Sequence, residues 1–137
     1  MRSAALIILA AAAVSACGAT TAAGPRSAKA ETKLQDALRG KVAGAPVSCL
    51  PSYRASDMVV IDDNTILFKD GSNLVYRQDP PGGCSPLGRG YYTLVTKTIG
   101  SGGLCRGDIA RVVDLSSHFT VGSCAFGDFI PYRTATR

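Results

Sequence analysis

His118 is the single histidine of the chain, and it follows Ser116-Ser117 with Asp114 just upstream. A serine hydrolase uses these three residue types: imidazole takes the proton, hydroxyl attacks and carboxylate orients the ring. Here all of them sit along one turn between two apolar runs, where neighbours do not usually converge, and the Gly-x-Ser-x-Gly elbow is missing. The expectation is an exposed turn histidine. Asp62-Asp63 is the next candidate, as a carboxylate pair for hydrolysis or as a calcium site. Successive strand residues point to opposite faces, and no Asp-x-Asp-x-Asp-Gly loop follows, so the pair is expected to form a turn by accepting local backbone hydrogen bonds. Arg106-Gly107-Asp108 matches an adhesion tripeptide in letters, but its expected role is local. Gly107 permits a tight turn after Cys105, and Asp108 bonds to backbone or to Arg106.

Cysteine carries more information. Four cysteines follow residue 40, namely Cys49, Cys84, Cys105 and Cys124, and none has a second ligand two to four residues away as zinc sites usually do. Two disulfides are expected in place of a metal, and no cofactor is expected. Three connectivities are open, and proximity along the chain favours Cys49 with Cys84 and Cys105 with Cys124.

The fifth cysteine has a different setting. Arg2 precedes an uninterrupted small and apolar run from Ala4 to Val14, shorter than the roughly 18 to 20 residues that a bilayer core requires. The order Val14-Ser15-Ala16-Cys17 resembles the lipobox of bacterial lipoproteins. That resemblance implies a leader over residues 1–16, cleavage before Cys17 and lipidation of Cys17. The alternative is an ordinary secretory signal with Cys17 as a bystander, yielding a soluble periplasmic protein. On the lipoprotein reading the chain lies in the cell envelope, on the periplasmic side of the outer membrane; Gly18, where inner-membrane lipoproteins often carry Asp, suggests that sorting by analogy.

Charge divides along the same line. Between Gly18 and Ser48 there are five basic residues (Arg26, Lys29, Lys33, Arg39, Lys41) and two acidic ones, whereas Cys49 to Arg137 carries nine basic and eight acidic. The positive balance belongs mostly to the segment after Cys17, where anionic headgroups would favour it. No basic stripe with interleaved aromatics occurs beyond it, so nucleic acid is not an expected partner. All nine aromatics lie at or beyond Tyr53. The chain therefore divides into the leader, a tether over residues 17–45 ending at Ala43-Gly44-Ala45-Pro46, and a folded domain over residues 46–137. Within the tether, Ser27 to Arg39 has a cap, helix-favouring residues and the stop Gly40. This short helix either docks through Leu34 and Leu38 or frays.

Beyond Cys49 short apolar runs alternate with turn residues, the pattern of a small antiparallel all-β domain. Met58–Ile61, Ile66–Phe68 and Leu74–Tyr76 form a three-stranded meander, with Asp70-Gly71 as a strong hairpin signal. Consecutive apolar residues imply that both faces of these strands are covered. Gln78 to Gly90 is a proline- and glycine-rich loop stapled by Cys84. Strands follow over 91–98, 109–115, 119–121 and 129–130. Six or seven strands suggest a small barrel or a curved sandwich.

Cys49, Val60-Ile61-Asp62-Asp63-Asn64-Thr65-Ile66, Tyr76, Cys84, Leu104-Cys105-Arg106-Gly107-Asp108 and Gly122-x-Cys124-x-x-Gly127-x-Phe129-x-Pro131-Tyr132 resemble a family of small exported proteobacterial proteins, catalogued as a domain of unknown function. The resemblance implies an exported compact domain and supplies no activity. Three functions remain open: an envelope module binding a protein or cell-wall partner, a small-ligand binder using a pocket or the tyrosines Tyr53, Tyr91, Tyr92 and Tyr132, and a hydrolase whose residues meet only in three dimensions. For the first, the expected face is Arg106, Asp108, Phe126, Phe129 and Tyr132.

Overall fold

The meander read from the sequence forms the centre of the molecule, and its alternating side chains separate two hydrophobic clusters. A computed structural model describes residues 24–51, 57–96 and 103–135; Cys17, the leader and Tyr53 lie outside them. The strands, in chain order, are β1 (Lys41–Ala43), β2 (Cys49–Pro51), β3 (Met58–Asp62), β4 (Thr65–Asp70), β5 (Leu74–Gln78), β6 (Tyr92–Thr96), β7 (Gly103–Cys105), β8 (Ile109–Asp114), β9 (Thr120–Ala125) and β10 (Phe129–Thr134). Among the described residues one helix, α1 (Ala28–Leu38), precedes them, and a 3-10 turn spans Leu87–Arg89.

All pairings are antiparallel: a five-stranded sheet in the order β1-β10-β5-β4-β3, a three-stranded sheet β6-β8-β9 and a ribbon β2-β7. Since side chains alternate along a strand, Ile66 and Phe68 of β4 face the same way as Leu74 and Tyr76 of β5. They meet Leu50, Leu104, Val112, Phe126 and Phe129 from the other strands and loops. The intervening Leu67 and Val75, with Ile61 of β3, face the opposite side and bury Ala30 and Leu34 of α1. The result is a sandwich of sheets with the helix on its outer face, which decides against a closed barrel. Covering both faces of the meander is what its unbroken apolar runs require.

Helix α1 is docked, not frayed. Ser27 caps it, its Oγ accepting from the Ala30 N–H at 3.3 Å, and Gly40 follows with φ 71°. Leu34 is buried and Leu38 is half-buried against the same cluster. The order continues through β1, whose Val42 pairs with Arg133. Helix α1 and strand β1 thus pack with the sheets ahead of the boundary expected at Ala43–Pro46. A three-residue strand has too little periodicity to be read, and its partner lies at the far end of the chain.

The disulfides are Cys49–Cys105 and Cys84–Cys124, which corrects the pairing favoured by proximity along the chain. The cause is strand pairing. β2 and β7 run antiparallel with Cys49 directly opposite Cys105, Cα atoms 4.0 Å apart. That register takes both cysteines and leaves the buried Cys84 to the buried Cys124 of β9.

Candidate functional site

The Asp114–His118 turn is the hairpin connection between β8 and β9, and its polar side chains bond within the turn. Asp114 Oδ1 accepts from the Ser116 hydroxyl at 2.6 Å, from the Ser117 N–H at 2.8 Å and from the Ser116 N–H at 2.9 Å. These bonds, the Ser116 hydroxyl first, hold the Asp114 carboxyl down at about 2. Both serine hydroxyls therefore address the aspartate. His118 takes the left-handed conformation, φ 60°, and donates its backbone N–H to the Asp114 carbonyl. Its exposed ring fits the turn position expected of it.

Asp62 and Asp63 likewise organise backbone. Asp62 Oδ1 accepts from the Asn64 N–H at 2.8 Å, and Asp63 Oδ1 accepts from the Gly88 N–H at 2.6 Å. Asp108 accepts from the Cys105 N–H at 2.7 Å, while Arg106 pairs with Asp128 at 3.3 Å. Among the described residues no three His, Cys, Asp or Glu side chains converge as metal ligands would.

Arg106, Asp108, Phe126, Phe129 and Tyr132 do not share a face. Phe126 and Phe129 are 2% and 0% exposed and pack with Phe68, ring centroids 5.9 to 6.3 Å apart. Tyr132 pairs with Val75 and so faces the helix side of its sheet, opposite to Phe129. Aromatic character argued for a surface there, but this small core needs three phenylalanines to fill it. The tyrosines do not make one platform either: Tyr91 is exposed, Tyr92 is half-buried and Tyr132 lies on another sheet.

A groove of about 590 Å³ runs instead along β3. β3 is the last strand of its sheet, and among the described residues nothing pairs with its outer side. Met58 to Asp62 form the floor. The first turns of α1, with Ser27, Lys29, Ala30 and Lys33, make one wall; Leu87 to Gly90 and Tyr92 make the other. The second wall stands close because residue 88 is glycine. A Cβ there would lie 2.8 Å from the Asp63 nitrogen, and the Gly88 N–H instead donates to Asp63 Oδ1.

Arg26 fixes the first wall. Its Nε donates to Asp62 Oδ2 at 2.6 Å, Nη1 to Glu31 at 3.2 Å and Nη2 to the buried Thr65 hydroxyl at 2.6 Å, which itself donates to Asp79. The bond to Asp62 raises the Arg26 pKa above its ordinary value. Among the described residues Asp62 is the one carboxylate in the groove lining and is paired with Arg26, so Lys29, Lys33 and Arg89 set the charge of the groove. All three are exposed, and Lys33 Nζ donates to the Val60 carbonyl at 2.6 Å.

Two smaller hollows lie elsewhere among the described residues. One of about 390 Å³ is bounded by Gly90 to Tyr92 and Asp114 to Ser116, with the exposed Tyr91 and Leu115 on its rim. The other, about 220 Å³, opens between the sheets beside Met58, Leu94 and Phe126. Sequence reasoning missed the groove because Lys29 and Lys33 read as tether charges. The available signal was their i, i+4 spacing around the docking residues Ala30 and Leu34. No protein-family model, no curated protein and no solved structure matches this chain.

Proposed function

We propose that this protein is exported, is anchored in the cell envelope through Cys17, and acts there as a non-enzymatic module that binds a protein or cell-wall partner. Two disulfides suit an oxidising compartment, and the lipobox-like Val14-Ser15-Ala16-Cys17 supports the anchor. The observation that carries the binding reading is the cationic groove along an open strand edge, held between walls fixed by Arg26 and Gly88. The groups that suggested catalysis have structural hydrogen-bonding roles: Asp114, Ser116 and Ser117 bond within one turn, Asp62 bonds the Asn64 N–H and Arg26, and Asp63 bonds the Gly88 N–H of a separate loop. A rigid surface binds without the cost of ordering at contact.

The test is complementation of a strain lacking the gene. His118→Ala is expected to restore the phenotype, and Lys29→Glu with Lys33→Glu is expected to lose it with the protein present at normal abundance. Loss with His118→Ala alone, in folded and anchored protein, would replace binding with catalysis. Cys17→Ser with fractionation tests the anchor: retention in the membrane with normal processing would remove it.

A further inference from the structure

We propose that the groove takes an extended acidic peptide as a sixth strand beside β3, with carboxylates at alternate positions, and that Lys33 is the latch over that edge. This rests on the binding reading above and names the partner's chemistry. The phase of the ladder shows what the edge offers. The Lys69 N–H donates to the Asp57 carbonyl, so Asp57 is directed at β4. In an antiparallel pair this direction alternates, so Val59 also bonds β4, and Met58 and Val60 direct N–H and C=O outward. The Val60 carbonyl confirms the phase, because Lys33 reaches it from the open side. The edge therefore presents backbone groups two residues apart, about 7 Å, the repeat of another strand.

Charge selects the strand. Lys29 and Lys33 are one helical turn apart, about 6 Å along the axis, close to the spacing of alternate side chains on an extended chain. Two carboxylates at positions i and i+2 thus match two ammonium groups, with Arg89 on the opposite wall. A carboxylate that draws Lys33 away frees the Val60 carbonyl to accept a peptide N–H, so the charge contact and the ladder form together. Without an anion, Lys33 blocks the edge, a usual protection against strand pairing. A second copy is a poor occupant: β3 against β3 would set Lys29, Lys33 and Arg89 of each copy against the other's. A lipid headgroup would satisfy the cations and leave the outward groups of Met58 unused.

The test uses the full chain purified in mild detergent with disulfides intact, nitrogen-labelled for NMR. The probes are blocked heptapeptides of alternating Glu-Val, Gln-Val and Lys-Val, free glutamate, and phosphatidylglycerol vesicles. Glu-Val is expected to shift the Met58 and Val60 amides saturably, slow their hydrogen exchange and bind at least tenfold more tightly than Gln-Val. Lys33→Gln is expected to remove most of that discrimination, and Arg89→Glu to weaken Glu-Val binding with an unchanged spectrum elsewhere. Equal binding of Glu-Val and Lys-Val, or shifts equalled by free glutamate, would overturn the proposal. So would vesicles that occupy the groove where the peptide does not, making it a membrane-facing surface. If the peptides fail while complementation still requires Lys29 and Lys33, the acidic-strand partner falls and the binding reading stands.

Discussion

Replacing Cys84 and Cys124 together by alanine measures how far this small sandwich depends on its covalent links. The bridge closes 40 residues, and its companion Cys49–Cys105 closes 56. Chain-entropy accounting assigns each about 4 kcal/mol of unfolded-state restriction at 25 °C. The loops overlap, so the surviving bridge restrains part of the same segment but leaves β9 free in the unfolded chain. Cys84 is fully buried, and deleting its sulfur adds a small cavity cost. A domain of this length holds about 5 to 15 kcal/mol in total. The double variant should therefore lose a third or more of its stability and melt about 15 °C lower. Urea unfolding followed by circular dichroism gives the free energy, and peptide mapping of the parent under non-reducing conditions gives the connectivity. A loss below about 1 kcal/mol, or a peptide joining Cys49 to Cys84, would refute the reasoning.

Asp114→Asn tests the hairpin turn. The folded carboxyl titrates at about 2 against an ordinary 3.8, so its stabilisation is complete above the ordinary value and is lost as pH falls through the folded one. The variant should be less stable than the parent at neutral pH and lose less between pH 4 and 2; parallel acid titrations would contradict this assignment. Gly88→Ala places a Cβ 2.8 Å from the Asp63 nitrogen, and the displaced loop should cost about 1 to 3 kcal/mol in urea unfolding; a neutral result would mean that the wall is not tightly seated. Arg26→Met removes donors to Asp62, Glu31 and Thr65, and should cost about 2 kcal/mol and speed amide exchange in α1 selectively. Uniform exchange changes across both sheets would argue against a local clamp.

The meander was legible because its signals are local. Asp70-Gly71 turns β4 into β5, Asp62–Asn64 turns β3 into β4, and unbroken apolar runs announce two covered faces. Residues 41–43, 49–51 and 103–105 were not read as strands, since each has three residues and a partner far along the chain. The same non-local pairing set the disulfides. Phe126 and Phe129 follow short polar and glycine segments, where an aromatic belongs equally well to a surface or to a core; the packing of Phe68 decides it. The groove was hidden for a related reason. Lys29 and Lys33 belong to one segment, Met58 to Asp62 to another and Arg89 to a third, and only the docking of Leu34 against Ile61, Leu67 and Val75 brings them together.

Site-specific photocrosslinking in living cells captures whatever occupies the groove. A photoreactive residue at Arg89 lies in the groove wall, and one at Arg111 lies on the exposed face of β8, on the other sheet. The account predicts a discrete adduct from position 89 that contains an acidic segment, is absent from position 111, and disappears when Lys29 and Lys33 are changed to Glu. Adducts of equal yield from both positions, or a position-89 adduct indifferent to that charge reversal, would contradict it.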